Sequence, residues 1–93
     1  MISAIEDIAE NSIKIADHTS INDIHLNRFG IYYCDYWKDC PSTHENGTLM
    51  IVPRQGNNLT QIYIPVDLAN DTISIRSRYS TGYYSQWKQL NFN

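Results

Sequence analysis

No apolar run in this chain approaches the roughly 18–20 residues that a bilayer-spanning helix needs. Membrane insertion is therefore not expected. Basic residues are few and scattered, seven Lys and Arg against ten Asp and Glu, for a net charge of −3. A nucleic-acid-binding domain ordinarily carries a basic stripe, and without one nucleic acid is not an expected partner. The first residues carry Glu6, Asp7 and Glu10 inside their apolar pattern, unlike the uncharged core of a signal peptide. Synthesis in a cytoplasm, with no secretory signal, is the expectation. Only two cysteines are present. Cys34 and Cys40, followed by His44, lack the Cys-x2-Cys knuckle of a zinc site. Two reduced cysteines are expected, with no metal and no cofactor. The sequence also has no internal repeat and no low-complexity tract.

What it has in quantity is tyrosine: seven Tyr and two Trp against two Phe. Tyr and Trp combine an apolar ring with a polar handle, a combination suited to partly wet binding surfaces. The 93 residues and 42% hydrophobic content support one small folded domain. Its organising stretch is residues 59–66, where Ile62, Ile64 and Val66 fall on one face of an extended segment. Gln61, Tyr63 and Pro65 fall on the other, a period-two pattern that predicts a strand. Before it, residues 49–52 form an apolar run of strand length, separated by a polar turn segment at residues 53–58. After it, a turn at residues 68–71 leads into alternation over residues 72–79. Three strands joined by short turns predict an antiparallel meander. Residues 31–37 add an aromatic strand, followed by a polar loop at residues 38–47. A turn at residues 80–82 precedes a last strand over residues 83–90.

Residues 1–17 read as a helix. Met1, Ile5, Ile8, Ser12 and Ile15 follow a 4-3-4-3 spacing, the seam of a coiled coil, in which isoleucine at both core positions favours three strands or more. Ile2 and Ile13 lie off that seam, so an amphipathic helix packed on its own sheet is the alternative. The fold expectation is a mainly β domain: an N-terminal, coiled-coil-like helix over residues 1–18, then a knob of about five antiparallel strands over residues 19–93. On the self-associating reading, Ile5, Ile8, Ser12 and Ile15 hold three copies together.

No nucleophile elbow, zinc-binding helix or phosphate loop accompanies His18, His25 and His44. Asp35, Asp39, Glu45, Asp67 and Asp71 are scattered loop carboxylates of the kind that serve turns and solubility. No catalytic set is expected, although a site shared between subunits stays open. The aromatic and guanidinium residues are the better candidates for ligand contact, namely Tyr36, Trp37, Tyr63, Arg76, Arg78, Tyr83 and Trp87. Because neighbours such as Tyr32 and Tyr33 point to opposite faces, one of each pair is expected to be buried. Arg76 and Arg78 share a face and could meet an anionic glycan or, more plainly, acidic cross-strand neighbours.

Several ordered segments resemble a known family. Asp23-Ile24-His25-Leu26-Asn27-Arg28-Phe29-Gly30-Ile31-Tyr32-Tyr33 is similar to the opening of pyocin-knob-like modules. Asn46-Gly47-Thr48-Leu49-Met50-Ile51-Val52, Thr60-Gln61-Ile62-Tyr63, Ile75-Arg76-Ser77-Arg78 and Ser85-Gln86-Trp87-Lys88-Gln89-Leu90 resemble its later strands in order. The likeness spans residues 20–90. It departs where the family has Trp-x-x-Trp, since Tyr83 or Tyr84 stands at the earlier position. The resemblance implies a distal domain of a phage or bacteriocin tail fibre, carried on the virion as a homotrimer joined to the remainder of the fibre. It also implies attachment, without catalysis, to a bacterial surface polysaccharide, teichoic acid or lipopolysaccharide. The alternatives are a structural trimerisation module of a fibre and a fragment of a polysaccharide depolymerase.

Overall fold

The computed structural model describes residues 12–24 and 28–90. Its strands are β1 (Ile13–Lys14), β2 (Gly30–Cys34), β3 (Gly47–Arg54), β4 (Asn58–Pro65), β5 (Ser74–Arg78) and β6 (Lys88–Gln89). They form one sheet in the order β1-β2-β3-β4-β5-β6. Strands β2 to β6 pair antiparallel, as the expected meander does, and β1 joins β2 in parallel. The protein is mainly β, with a six-stranded mixed sheet.

Two expectations are corrected at the ends of this sheet. Helix is not what residues 12–17 form: Ile13 and Lys14 pair with Tyr32 and Tyr33, and Ile15 N donates to Tyr33 O at 2.9 Å. Ile13, off the helical seam, is two residues from Ile15, a spacing that fits period two, and the free edge of β2 supplies the ladder partners that settle the choice. Ile15 packs, partly buried, on the core of its own chain. Ile5 and Ile8 lie outside the described residues. At the other end, the strand expected over residues 83–90 pairs only at Lys88 and Gln89, with a single bridge from Tyr84 to Arg78. Ser85 spans the gap, its N donating to Ser77 O and its Oγ accepting from Ser77 N, both at 2.9 Å.

The main core cluster lies on one face. Tyr32, Cys34, Leu49, Ile51, Leu59 and Tyr63 of the sheet close against Ile21 and Trp37 from the connecting segments. Of the two faces of β4, the core uses Leu59, Gln61, Tyr63 and Pro65. Gln61 is completely buried there, and its amide is fully used. Nε2 donates to Ile21 O at 3.0 Å and Ile24 O at 2.8 Å, while Oε1 accepts from Arg76 Nε at 2.7 Å. Those bonds remove the penalty of a buried amide. They also fasten the 3-10 turn Ile21–Asp23 over the sheet. Tyr63 OH donates to His44 O at 2.7 Å and Trp37 Nε1 to Gly47 O at 3.0 Å. Burial raises the Tyr63 hydroxyl well above its ordinary pKa.

The opposite face carries a second apolar row, buried at Ile31 and half-buried beyond it. Register aligns Ile31, Met50, Ile62 and Ile75 in a row across four strands. Of these, Met50, Ile62 and Ile75 are half-buried.

Candidate functional site

Two turns meet at one end of the sheet. Between β3 and β4 runs the 3-10 turn Gln55–Asn57, in which Gly56 and Asn57 take left-handed backbone angles, φ 75° and 63°. Beyond β5, Tyr79 N donates to Tyr83 O and Gly82 N to Tyr79 O, both at 2.8 Å, with Gly82 at φ 90°. Asn58 ties the turns together: its Oδ1 accepts from Ser80 N and its Nδ2 donates to Gln55 O, each at 3.0 Å.

This tight turn brings Tyr79 and Tyr83 face to face, ring centroids 6.1 Å apart and planes 21° from parallel. Both stay exposed, at 45% and 68%. An apolar ring face costs free energy in water, and the stacked pair keeps its outer ring faces and edges available as an aromatic platform. Beside Tyr79 lie two hollows. One, of about 200 Å³, is lined by Arg54, Gln55, Asn58 and Ser77. The other, of about 360 Å³, opens where β6 has left the ladder and is lined by Thr60, Ser77, Gln86 and Lys88. Planar amides and hydroxyls beside an aromatic platform match the alternating apolar faces and hydroxyl rims of a sugar ring.

Arg76 packs against the rings that follow this turn. Its Cζ lies 3.9 Å from the Tyr84 ring centroid and 4.3 Å from that of Trp87. One of its terminal nitrogens donates to Asn22 Oδ1 at 2.6 Å, and Tyr84 OH donates to Asn22 O at 2.8 Å. Burial lowers the guanidinium below its usual pKa, though arginine stays charged in proteins. Arg78 approaches the same ring, its Cζ 5.6 Å from the Tyr84 centroid. Its buried Nε has no hydrogen-bond partner. Among the described residues neither guanidinium has a carboxylate within 4.0 Å; the ion pairs there both belong to His44.

The other candidates fall elsewhere. Trp37 and Tyr63, expected at the ligand, are 1% and 0% exposed. As core residues they present no surface to a ligand; an apolar ring on the core face of the sheet gains more by burial than in water. Tyr36 is exposed but stacks on His18, centroids 5.4 Å apart, near the opposite end of the sheet. Tyr83, Arg76, Arg78 and Trp87 do converge. Tyr79 was missed because it ends a predicted strand, where alternation says nothing about a ring that turns back over its own hairpin.

A second polar cluster joins two loops at the far end. His44 Nδ1 lies 3.0 Å from Asp71 Oδ2, to which Ser42 Oγ also donates, and His44 Nε2 lies 3.7 Å from Asp67 Oδ2. Ser42 Oγ in turn accepts from His44 N at 2.8 Å. Serine and imidazole thus both bind the carboxylate instead of each other, which differs from the order that activates a serine nucleophile. The Ser42 hydroxyl, then His44 and the Thr72 N–H, hold Asp71 down to about pKa 2. Asp67 is lowered chiefly by Asn70. A low pKa is the reverse of what a general acid needs in glycoside cleavage.

No protein-family model, no curated protein and no solved structure matches this chain.

Proposed function

We propose that this domain is the receptor-binding tip of a phage or phage-tail-like fibre, gripping a bacterial surface glycan without cleaving it. The observation that carries this reading is the exposed Tyr79–Tyr83 platform, held on a braced hairpin between two polar hollows. Base-free aromatic platforms of this kind suit carbohydrate, because the ring contributes area at little loss of conformational entropy. The ordered resemblance to pyocin-knob-like segments supports the same reading.

Placement supports it too. Ser12, where the described chain enters the sheet, lines a hollow of about 510 Å³ with Tyr33, Asp35, Gly47 and Val66. Strand β3 runs from Gly47 at that end to Arg54 at the platform, eight residues or about 23 Å. A fibre joined through the N-terminal side would hold the platform outward. Three copies per fibre would add avidity through effective concentration. The half-buried row of Met50, Ile62 and Ile75 is the apolar surface such self-association would use.

The test is binding of the full chain to purified bacterial surface polysaccharides by biolayer interferometry, with Tyr79→Ala and Tyr83→Ala beside it. Saturable binding that both substitutions weaken supports the tip reading. Binding unchanged by either substitution would move the site off the hairpin.

A further inference from the structure

We infer that the hairpin-tip site selects saccharides bearing a negative charge, a carboxylate or a phosphate, over neutral ones. This rests on the reading of the tip as a glycan site and adds the chemistry of the group recognised.

Charge is sorted along this sheet. Five of the seven described carboxylates gather at the end where Cys34, Gly47 and Pro65 meet. Asp35 follows β2, and its backbone N donates to Asp17 Oδ1 at 3.1 Å. Glu45 precedes β3, Asp67 follows β4, and Asp71 bonds to His44. At the platform the order is reversed. Arg54 lines one hollow, Arg76 and Lys88 the other, and no Asp or Glu lines either. Arg78 follows on the same strand face as Arg76, and its Nη2 would lie 3.6 Å from a Cβ built on Gly82 in the turn that carries Tyr83. Four of the seven basic residues thus surround one platform in a chain whose net charge is −3. Composition alone would predict the opposite sign there.

Two of these cations are short of partners. Arg76 is only 9% exposed and is held by neutral amide oxygens, Gln61 Oε1 and Asn22 Oδ1. Amide oxygens satisfy its hydrogens without neutralising its charge. Arg78 carries a buried Nε with no acceptor. Asp39 is the carboxylate whose charge reaches Arg76, with no ion pair between them. A buried cation so loosely countered costs stability, and an anion arriving at the rim recovers part of that cost. The low-dielectric walls formed by Tyr79, Tyr84 and Trp87 strengthen the attraction. A ligand sugar stacked on Tyr79 and Tyr83 would set its charged substituent among Arg54, Arg78 and Lys88. Ring contact would give orientation, and charge would give preference.

The experiment compares matched polymers on the full chain: a uronate polysaccharide, the same polymer after carboxyl reduction, a poly(glycerol phosphate), and polyglutamate as a polyanion without sugar. The expected result is that reduction weakens binding by roughly tenfold, as does Arg78→Gln, and that raising salt from about 50 to about 500 mM does the same. Lys88→Gln, at the exposed edge, gives a second reading should Arg78→Gln fail to fold. Polyglutamate is expected to bind weakly and to ignore Tyr79→Ala. Uronate and phosphate polymers separate the two anionic groups. Equal binding of the reduced polymer overturns the charge preference and leaves the glycan site standing. Polyglutamate binding as tightly as the uronate overturns saccharide recognition. No binding of any polysaccharide overturns both readings.

Discussion

Gln61 and Arg76 face each other across β4 and β5, and the amide oxygen of one accepts from Nε of the other at 2.7 Å inside the core. That bond links three parts of the molecule. Through Gln61 it reaches the carbonyls of Ile21 and Ile24; through Arg76 it reaches Asn22, Tyr84 and Trp87. The first prediction follows from this. Gln61→Leu keeps the volume but leaves two carbonyls and a guanidinium N–H unmet, at about 1–3 kcal/mol for the first unmet group. A loss of about 3 kcal/mol in urea unfolding is expected, together with weaker ligand binding as the brace under Tyr84 loosens.

The exposed platform should behave in the opposite way. Tyr79 and Tyr83 touch chiefly each other and solvent, so replacing either with alanine should change stability by no more than about 0.5 kcal/mol. Binding should fall while the unfolding midpoint stays. Paired calorimetry and denaturation measurements separate the two effects.

Acid should loosen the loop clasp at the far end. Asp71 sits at about pKa 2 against an ordinary value of 3.8, and Asp67 is also lowered. Across that window the unfolded chain binds more protons than the folded one, so stability rises with pH through it. The contribution is complete above about pH 4 and disappears as pH falls through about 2. Unfolding midpoints at graded pH should show this slope, and Asp71→Asn should flatten it while lowering stability at neutral pH.

Gly47 lies against two groups at once. A Cβ there would stand 2.6 Å from the Tyr63 hydroxyl oxygen and 2.7 Å from the Ile64 carbonyl oxygen. The hydroxyl is fixed by His44 O and the carbonyl belongs to the sheet, so neither yields freely. Gly47→Ala should cost about 1–3 kcal/mol as an overpacked core site, read as a fall in the thermal midpoint.

Self-association is read by light scattering. The trimer proposal expects three chain masses of 10.8 kDa for the full chain. Ile62→Lys, which sets a charge in the middle of the half-buried apolar row, should shift the mass toward one. A monomer in the unsubstituted chain at every concentration removes the trimer and leaves the single-site glycan reading to be judged alone.

The order of the strands was legible from the residues because it depends on local spacing. An apolar run at residues 49–52 and period-two runs at residues 59–66 and 72–79, separated by Gly, Pro, Asn and Asp, specify short antiparallel connections with little choice of topology. Spacing read residues 1–17 as a helix, and only the free edge of β2, formed by residues further along the chain, made a strand of Ile13 and Lys14. Which face of β4 is buried was also undecided locally. The isoleucines are the more apolar set, yet the core took Gln61 and Tyr63, because the 20–24 segment and Arg76 supply every partner that the amide needs. Tyrosine shows the division most plainly. Seven copies announced a wet aromatic surface, but Tyr63 became core and Tyr79 became platform through the position of the chain around them. Composition and periodicity determined that there would be a sheet rich in tyrosine. Long-range contact alone decided which rings face water, since burial depends on what arrives from elsewhere in the chain.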